Sequence, residues 1–304
     1  MKTSKSQVVS VNKSKQRGIK EPVTAITLIE GGVKGDIHQN SHREVSLLDK
    51  KHIDDYLRIS QAKENPGYGA FAENITTENL PEDIRVFDYF TIGETRLQLT
   101  QIGKPYHEDL EFPGHYVSPQ KALFCKVLKG GTIQPKMRII HHPKIFKSLI
   151  ITLSDRGSQK IYDDKSGPIA RQYVSDFFAH EHLRAEISDK IIPDDPALLT
   201  SLLNHANDYD LIITTGGTGI SEKDITIETI RPLLDKEIPG ITEMIRWKYG
   251  LQKPNTLLSR SLAGTIKQTL IFCIPGSPKA VQEYMTEINT ITSHAFRMLY
   301  GLSH

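Results

Sequence analysis

The chain has few of the residues that build disulfide frameworks or nucleic-acid surfaces. Only two of its 304 residues are cysteines, and both, Cys125 and Cys273, lie in apolar runs typical of strands. Thiols in such runs do not build a disulfide scaffold or a Cys-based zinc site, which favours a reducing, cytoplasmic location. The net charge is +2 and no long run of lysine and arginine is present, so the composition predicts no nucleic-acid partner.

Long apolar runs are also missing. The apolar runs that are present are far shorter than the roughly 20 residues of a membrane-spanning helix. The first thirty residues contain no continuous apolar stretch, which disfavours a secretory signal. We therefore expect no membrane partner.

The two halves of the chain differ in the spacing of their apolar residues. In the first half, short apolar or alternating runs are separated by glycine, proline and Asn/Asp, which is typical of a mostly β domain. The runs lie at residues 23–28, 85–92, 96–102 and 122–128, with a helical pattern at 51–63. Pro143 interrupts helices and strands, so we predict a linker over residues 141–145 and domains at 1–143 and 144–304.

In the second half the pattern becomes strand, loop, helix. Strand-like runs lie at residues 148–153, 186–192, 211–214 and 269–274, and helical patterns at about 165–180, 196–206 and 225–250. Ser277 can cap a last helix with Pro278 in its first turn. Strands that alternate with helices predict an α/β domain with a mainly parallel sheet covered by helices on both faces.

Small, acidic and hydroxyl residues follow each of the four predicted strands. Ligands bind beyond the carboxyl ends of parallel strands, so we expect these residues to meet at one sheet edge. They are Ser154 and Asp155, then Asp194 and Asp195, then Thr215, Gly216, Gly217, Thr218 and Gly219, and finally Pro275, Gly276 and Ser277. This set predicts a combined phosphate and metal site.

The glycine-rich segment is the strongest of these features. Glycines at 216, 217 and 219 allow backbone N–H groups to approach an anion closely, and a following helix would add its positive N-terminal end. A tight turn with positive φ is the alternative reading. The position of the segment between a buried strand and a helix favours the anion site.

Two acidic residues are candidates for holding a magnesium ion against phosphate oxygens. Asp194 and Asp224 should reach the same sheet edge, and Mg²⁺ prefers oxygen ligands. Asp195 competes with Asp194, because spacing alone does not separate them. Asp224 also has a structural alternative, since Ser221 and Asp224 fit a capping box for a helix that starts at Ile225.

These motifs resemble those of the molybdopterin adenylyltransferase family, which acts in molybdenum cofactor synthesis. The resemblance covers residues 147–304. Its motifs lie at residues 154–156, 163–167, 192–195, 214–219 with 224–226, 239–243, 258–260 and 275–278. Related insertase domains usually carry Ser-x-Gly-Asp after the Gly-Gly pair, whereas this chain has Thr218-Gly219, which favours adenylyl transfer.

The resemblance implies an enzyme that adenylylates molybdopterin with Mg-ATP and releases pyrophosphate. It implies that Asp194 and Asp224 bind Mg²⁺ and the ATP phosphates, that Ser259 is also catalytic, and that residues 215–219 bind the pterin phosphate. The implied cofactor-binding set also includes Ser154, Asp155, Glu243, Arg260, Pro275, Gly276 and Ser277. Glu243 can equally be a solvated helix residue, and Arg260 a surface ion-pair partner. The family further implies a homotrimer and contacts with other cofactor-biosynthesis proteins.

The first half resembles the MOSC domain, a β-barrel-like fold, over about residues 18–140. The matching pieces are residues 35–38, 42–47, 71–76, 100–104 and 127–131. Where that family carries a cysteine proposed to hold sulfur, this chain has Tyr106, and a phenol cannot form a persulfide. The resemblance therefore implies a half that binds the pterin or the finished cofactor without sulfurating it.

Some alternatives remain open at this point. Asp36, His38 and His42 could ligate a metal, contact a cofactor phosphate or form local hydrogen bonds. Cys125 lies in an alternating strand pattern, which predicts a core side chain. A non-catalytic molybdopterin-binding or carrier protein is the main alternative function, and molybdate insertion is a third. The sequence does not distinguish molybdenum from tungsten as the final metal.

Overall fold

The computed structural model describes residues 5–60, 65–103, 121–159 and 163–302. The chain divides into two compact units, Met1–Lys144 and Ile145–His304. Tyr106, the residue in the position of the expected cysteine, lies outside the described residues.

The amino-terminal unit is rich in strands, as predicted for a mostly β domain. Its strands are β1 (Gln7–Lys13), β2 (Glu21–Val23), β3 (Ile26–Ile29), β4 (Gly32–Val33), β5 (Val45–Asp49), β6 (Ile75–Glu78), β7 (Tyr89–Ile92), β8 (Thr95–Ile102), β9 (Leu123–Lys129), β10 (Gly131–Ile133) and β11 (Ile139–His142), and helix α1 spans Lys50–Ser60. They form an eight-stranded sheet in the order β11-β7-β8-β9-β5-β6-β1-β2 and a three-stranded sheet in the order β10-β3-β4. Closure into a barrel stays a prediction.

The core of this unit is built from alternating side chains of these strands. Leu47 on β5, Leu97 and Leu99 on β8 and Cys125 on β9 are fully buried in one apolar cluster. Burial raises the pKa of the Cys125 thiol well above its ordinary value. The prediction that Cys125 is a core side chain is therefore confirmed.

The predicted linker is shorter than expected. His141 and His142 belong to β11, where they pair with Phe90 and Tyr89 on β7, and the next strand already begins at Ile145. Only residues 143–144 separate the two strands, so the prediction of a linker over 141–145 is wrong. Pro143 does interrupt the strand, but its effect is local because it removes only one backbone donor.

The carboxyl-terminal unit alternates strands and helices, as predicted. Its elements are β12 (Ile145–Leu153), α2 (Asp155–Ser158), α3 (Ser166–His180), β13 (Arg184–Ile192), α4 (Pro196–Leu203), β14 (Leu211–Thr215), α5 (Thr226–Ile230), β15 (Lys236–Glu237), α6 (Pro239–Gly250), β16 (Leu262–Ile266), β17 (Thr269–Ile274) and α7 (Pro278–Leu299). The sheet has the order β13-β12-β14-β17-β16-β15. The four predicted strands are parallel neighbours, whereas β16 and β15 add antiparallel pairs that make the sheet mixed.

Helices cover both faces of this sheet. On one face, Leu149 and Ile151 of β12 share an apolar cluster with Leu199 of α4 and Ile227 of α5. On the other face, the ring of Phe146 lies 5.5 Å from Phe178 of α3 and 4.8 Å from Phe296 of α7. Since side chains alternate along a strand, β12 is buried from both sides.

The helix predicted over residues 225–250 is wrong as a single element. The segment contains the five-residue helix α5, a 3-10 turn at Arg231–Leu233, strand β15 and then α6. Pro232 lies in the 3-10 turn and Pro239 begins α6, and proline cannot continue a preceding helix. Among the helices of the described residues, none is long and apolar enough to cross a membrane.

Candidate functional site

The first two strand exits are joined by reciprocal hydrogen bonds. The N–H of Asp155, after β12, donates to Asp194 Oδ2 at 3.3 Å, and the N–H of Asp194, after β13, donates to Asp155 Oδ1 at 3.1 Å. Ser154 precedes this pair, and its Oγ accepts from Gly157 N–H as the N-cap of α2. The two carboxylates therefore lie side by side at the carboxyl edge of the sheet.

Asp194 and Asp195 have different environments. Asp195 Oδ1 accepts from the N–H groups of Ala197 at 2.8 Å and Leu198 at 3.2 Å, so it caps α4. Asp194 instead faces the glycine-rich segment, where a methyl group placed on Gly217 would lie 3.5 Å from Asp194 Oδ1. The structure therefore distinguishes Asp194 from Asp195 as the candidate metal ligand, which their spacing in the sequence could not do.

The glycine-rich segment is packed tightly against the exit of β17. Gly216 and Gly217 have φ of +105° and +62°. The N–H of Gly216 donates to Ile274 O at 3.1 Å, and Thr215 Oγ1 donates to Pro275 O at 3.1 Å. A methyl group on Gly276 would lie 3.1 Å from Gly216 Cα, so two predicted exits are in backbone contact.

Thr226 was not singled out by itself in the sequence, yet it fixes the peptides of this segment. Its Oγ1 donates to Gly216 O at 2.8 Å, and its N–H donates to Gly217 O at 3.1 Å. The side chain is completely buried. A threonine at the start of a helix usually indicates a cap, so the sequence carried no signal for this second role.

Asp224 approaches the segment from the opposite end. A methyl group on Gly219 would lie 2.7 Å from Asp224 Oδ2, and that oxygen accepts from Ser221 N–H at 2.8 Å and Ser221 Oγ at 2.6 Å. The helix that follows has Ile225 at its N-cap, without a side-chain capping bond. The capping-box alternative is therefore wrong, because the Asp224 carboxylate closes a turn before the helix.

Arg260 binds the glycine-rich segment and the residues after it. Its Nε donates to Gly219 O at 2.6 Å, its Nη2 donates to Asp224 O at 3.0 Å, and its backbone N–H donates to Thr218 O at 2.9 Å. The guanidinium also pairs with Glu228. Arg260 is thus more than a surface ion-pair partner, since it ties three carbonyls of the loop together.

The remaining predicted site residues differ in how close they lie to the glycine-rich segment. Ser259 Oγ lies 3.4 Å from Thr218 Oγ1, so it borders the segment. Ser277 Oγ accepts from Ala280 N–H and caps α7, as its sequence position predicted. Glu243 is exposed on α6, and no hydrogen bond or ion pair among the described residues joins it to the loops, so its role stays a prediction.

A second arginine missed by the sequence reasoning lies at the same sheet edge. Ser261 precedes β16, whose first residue, Leu262, pairs with Cys273 near the end of β17. Arg246 of α6 donates to Ser261 O at 3.1 Å and to Ser261 Oγ at 3.2 Å. The position of Arg246 in the helical pattern did not predict its contact with Ser261, because this contact depends on how α6 packs against β16.

The electrostatics of the two candidate metal ligands differ. Burial raises the pKa of Asp194, and the negative charges of Asp155 and Asp224 raise it further. The hydrogen bond from the Asp155 N–H and the positive charge of Lys223 lower it, but the net shift is upward. Burial alone would raise the pKa of Asp224, but hydrogen bonds from Ser221 and the Gly219 N–H, together with Arg260, lower it. Asp194 is therefore a carboxylate among like charges, a setting that a cation would relieve.

These oxygens fit a magnesium ion that is shared with a substrate. Within the described part of the chain, no group of three or more His, Cys, Asp or Glu side chains could hold a metal on its own. Magnesium is commonly held by one or two carboxylates together with substrate phosphates and water. Asp194 and Asp224 lie close enough for their charges to interact, and an open cavity of about 350 Å³ is lined by Asp224 and Arg260 but not by Asp194.

The carboxyl-terminal unit is similar to proteins of molybdenum cofactor biosynthesis. Residues 149–294 match a family model described as a probable molybdopterin binding domain. Molybdenum cofactor biosynthesis protein B of Staphylococcus carnosus is 39% identical over 146 residues, which is 46% of this chain and 81% of that protein. Molybdopterin adenylyltransferase of Pyrococcus furiosus is 38% identical over 164 residues, or 52% of this chain and 91% of that protein.

A solved structure shows a similar match. The crystal structure of tungsten cofactor synthesizing protein MoaB from Pyrococcus furiosus is 36% identical, with a TM-score of 0.46. The match covers 52% of the present chain and 98% of the Pyrococcus furiosus protein.

Proposed function

This chain belongs to the molybdopterin-binding family of molybdenum cofactor biosynthesis, which includes molybdopterin adenylyltransferases, and we propose that it adenylylates molybdopterin with Mg-ATP. The observation that carries the proposal is the placement of Asp194 and Asp224 at the two ends of the glycine-rich segment. Phosphate binding and charge neutralisation are the main tasks of an enzyme that transfers phosphoryl or adenylyl groups.

The glycine-rich segment would bind the terminal phosphate of the pterin. The N–H of Gly216 donates to Ile274 O and that of Gly219 to the Asp224 carboxylate, so the N–H groups of Gly217 and Thr218 are the ones that would point toward an anion. Thr226 and Arg260 hold the carbonyls of this segment, so the amides need little reorganisation when a phosphate binds. Ser259 borders Thr218 and would donate to the same phosphate.

Asp194 and Asp224 would hold the magnesium ion. Their carboxylate oxygens are the ligands this cation prefers, and the cation would supply charge neutralisation for the ATP phosphates. The neighbouring Asp155 keeps Asp194 in place through the two reciprocal hydrogen bonds. The negative charges of Asp155 and Asp224 repel that of Asp194, and a bound cation would offset this repulsion.

In the proposed reaction, an oxygen of the pterin's terminal phosphate attacks the α-phosphorus of ATP. The bond between that phosphorus and the bridging oxygen of pyrophosphate breaks, and pyrophosphate leaves with the electron pair. The chain contributes the relative position of the two phosphates and the donors that stabilise the developing charge. The attacking group is already ionised at neutral pH, so no side chain is required as a general base.

The test compares two neighbouring aspartates. Purified chain is incubated with molybdopterin and Mg-ATP, and adenylated molybdopterin and pyrophosphate are measured. Asp194→Asn should lower turnover by about 10²-fold or more, whereas Asp195→Asn should retain it, because asparagine also caps a helix. Equal losses in both variants, or none in Asp194→Asn, would remove Asp194 from the mechanism.

The same assay separates the alternative functions. A carrier would bind molybdopterin and yield no adenylated product, and an insertase would release AMP from adenylated pterin only when molybdate is added.

We further propose that the amino-terminal unit is MOSC-like and binds the pterin cofactor without transferring sulfur. Its MOSC-like sequence motifs and its sheet-rich architecture support this. Equilibrium binding of molybdopterin to a variant whose carboxyl-terminal site carries Asp194→Asn and Gly217→Ala measures the contribution of this unit. Complete loss of binding in that variant would contradict the proposal.

Self-association is part of the proposal as well, with a homotrimer as the expected form. Helix α6 exposes Met244 and Trp247, and Leu251 follows directly after the helix, with Trp247 67% exposed and Leu251 70% exposed. The following turn exposes Leu257 and Leu258. Apolar surface of this kind is typical of protein interfaces, and sedimentation equilibrium of the full chain measures the oligomeric state.

A further inference from the structure

Arg43 is a half-buried cation, and among the described residues it has no acidic partner. Its Cζ lies 5.1 Å from the centre of the Phe124 ring, so one face of the guanidinium is covered by an aromatic side chain. Its Nε lies 3.4 Å from Gln101 Oε1. Within the described ranges, no carboxylate forms an ion pair with Arg43, and its side chain donates no other hydrogen bond there.

The surroundings of Arg43 hold the guanidinium in one orientation. Gln101 is itself fixed, because its Nε2 donates to Gly103 O at 2.6 Å. Phe124 is buried on β9, and the Arg43 N–H donates to Ser41 Oγ at 3.2 Å. With Nε directed at Gln101 and one face against Phe124, the two terminal nitrogens remain as donors in a fixed plane.

A second buried cation in the same unit shows how a structural charge is compensated. Lys20 Nζ donates to both carboxylate oxygens of Asp36 at 2.6 Å, and both side chains are 1% exposed. Asn74 and the N–H groups of Ser14 and His38 complete the shell around Asp36. Asp36 is therefore engaged locally and is not a candidate metal or phosphate ligand.

Within the described part of the chain, no carboxylate compensates the charge of Arg43 as Asp36 compensates Lys20. Burial lowers the pKa of the Arg43 guanidinium, and no negative charge of a described residue opposes the effect. A partly desolvated and unpaired charge destabilises a fold. A side chain that is held in place despite this cost is typical of a binding site, where the ligand supplies the missing charge.

We propose that the amino-terminal unit binds an oxyanion at Arg43, through two parallel hydrogen bonds from its terminal nitrogens. The planar fork of arginine matches the oxygens of a phosphate or a carboxylate group. The Phe124 ring packs against one face of the guanidinium, and the hydrogen bond from Nε to Gln101 fixes the orientation of the guanidinium plane. This site is in the amino-terminal unit alone, so it stands whether or not the carboxyl-terminal unit transfers adenylate.

The test uses titration calorimetry of the full chain with inorganic phosphate and, separately, with acetate. Arg96→Gln is the matched control, because Arg96 also lies over an aromatic ring in this unit, 4.5 Å from the centre of Tyr89, but is exposed. Arg43→Gln should lose one bound phosphate per chain, or bind it at least about tenfold more weakly. Arg96→Gln should bind phosphate as the wild-type chain does.

The two ligands identify the kind of oxyanion. Stronger binding of phosphate than acetate assigns the site to phosphate groups, and the reverse assigns it to carboxylates. Wild-type stoichiometry and affinity for both ligands in Arg43→Gln would overturn the proposal.

A second measurement distinguishes binding from a structural role for Arg43. In a buffer without oxyanions, Arg43→Gln should unfold at the same temperature as the wild-type chain or at a higher one, because an uncompensated charge is removed. Phosphate should then raise the unfolding temperature of the wild-type chain more than that of the variant. A lower unfolding temperature for the variant without phosphate, together with an equal phosphate shift, would mean that Arg43 serves packing only.

Discussion

Replacing Gly217 with alanine tests whether the backbone of the glycine-rich segment is as constrained as its contacts indicate. An alanine at φ +62° costs about 1–2 kcal/mol for the left-handed conformation. Its methyl group would also lie 2.3 Å from Thr226 Oγ1, a buried atom that already donates to Gly216 O. Relieving such overpacking costs about 1–3 kcal/mol.

Together the two effects predict a loss of about 2–5 kcal/mol in the free energy of unfolding. For a unit of this size the thermal midpoint should fall by about 5–15 °C. Urea unfolding followed by far-UV circular dichroism measures the change in stability. If the proposed function holds, adenylyl transfer should fall by about 10²-fold as well, because the amides proposed to bind phosphate would be displaced.

Gly240→Ala is the matched control. A methyl group on Gly240 would meet no atom within 4 Å, and the residue lies in the first turn of α6. Alanine there should leave stability unchanged or raise it by about 0.5–1 kcal/mol. Adding Thr226→Ala to Gly217→Ala should restore part of the lost stability, because the obstructing hydroxyl is removed.

The reasoning would be refuted by a Gly217→Ala chain that unfolds at the wild-type urea concentration and keeps its turnover. It would also be refuted if Gly240→Ala were equally destabilised, or if the losses of Gly217→Ala and Thr226→Ala simply added.

Two further predictions concern the partly buried charge of Asp194 and the fully buried pair of Lys20 and Asp36. The native pKa of Asp194 is raised, so the folded chain holds this proton more tightly than the unfolded chain, and ionisation at neutral pH destabilises the fold. Asp194→Asn should therefore raise the urea midpoint at neutral pH, with a gain that disappears as the pH falls below the ordinary range of an aspartate; a lower midpoint at neutral pH would contradict this. Lys20→Met leaves the Asp36 carboxylate buried without its partner and should cost about 3–5 kcal/mol in urea unfolding. The exposed pair Arg58–Asp55 is the control. Arg58→Ala should lower the free energy of unfolding by less than about 1 kcal/mol. Similar losses in Lys20→Met and Arg58→Ala would show that burial does not decide the loss of stability.

Much of the carboxyl-terminal unit could be predicted from local patterns. Strands β12, β14 and β17 are buried on both faces, so each contains a continuous apolar run that can be recognised without knowledge of its neighbours. The edge strand β13 is mostly exposed and carries charged residues at Glu186, Asp189 and Lys190, so no continuous apolar run marks it. Ser277 and Pro278 marked the start of α7 in the same way, because a cap depends on the residues next to it. Strand β16 was missed, since Leu262–Ile266 contains a glycine and has no alternating pattern.

The sequence by itself determined which residues reach the carboxyl edge of the sheet, because the end of a parallel strand is encoded in the strand and the turn that follows it. Only the tertiary structure decided what each residue does there. Asp194 and Asp195 are adjacent and chemically identical, yet one faces Gly217 and the other caps α4. Thr226 and Arg260 hold the loop through carbonyls distant in the chain. Such roles depend on the direction of side chains across packed elements, and no local spacing specifies that direction.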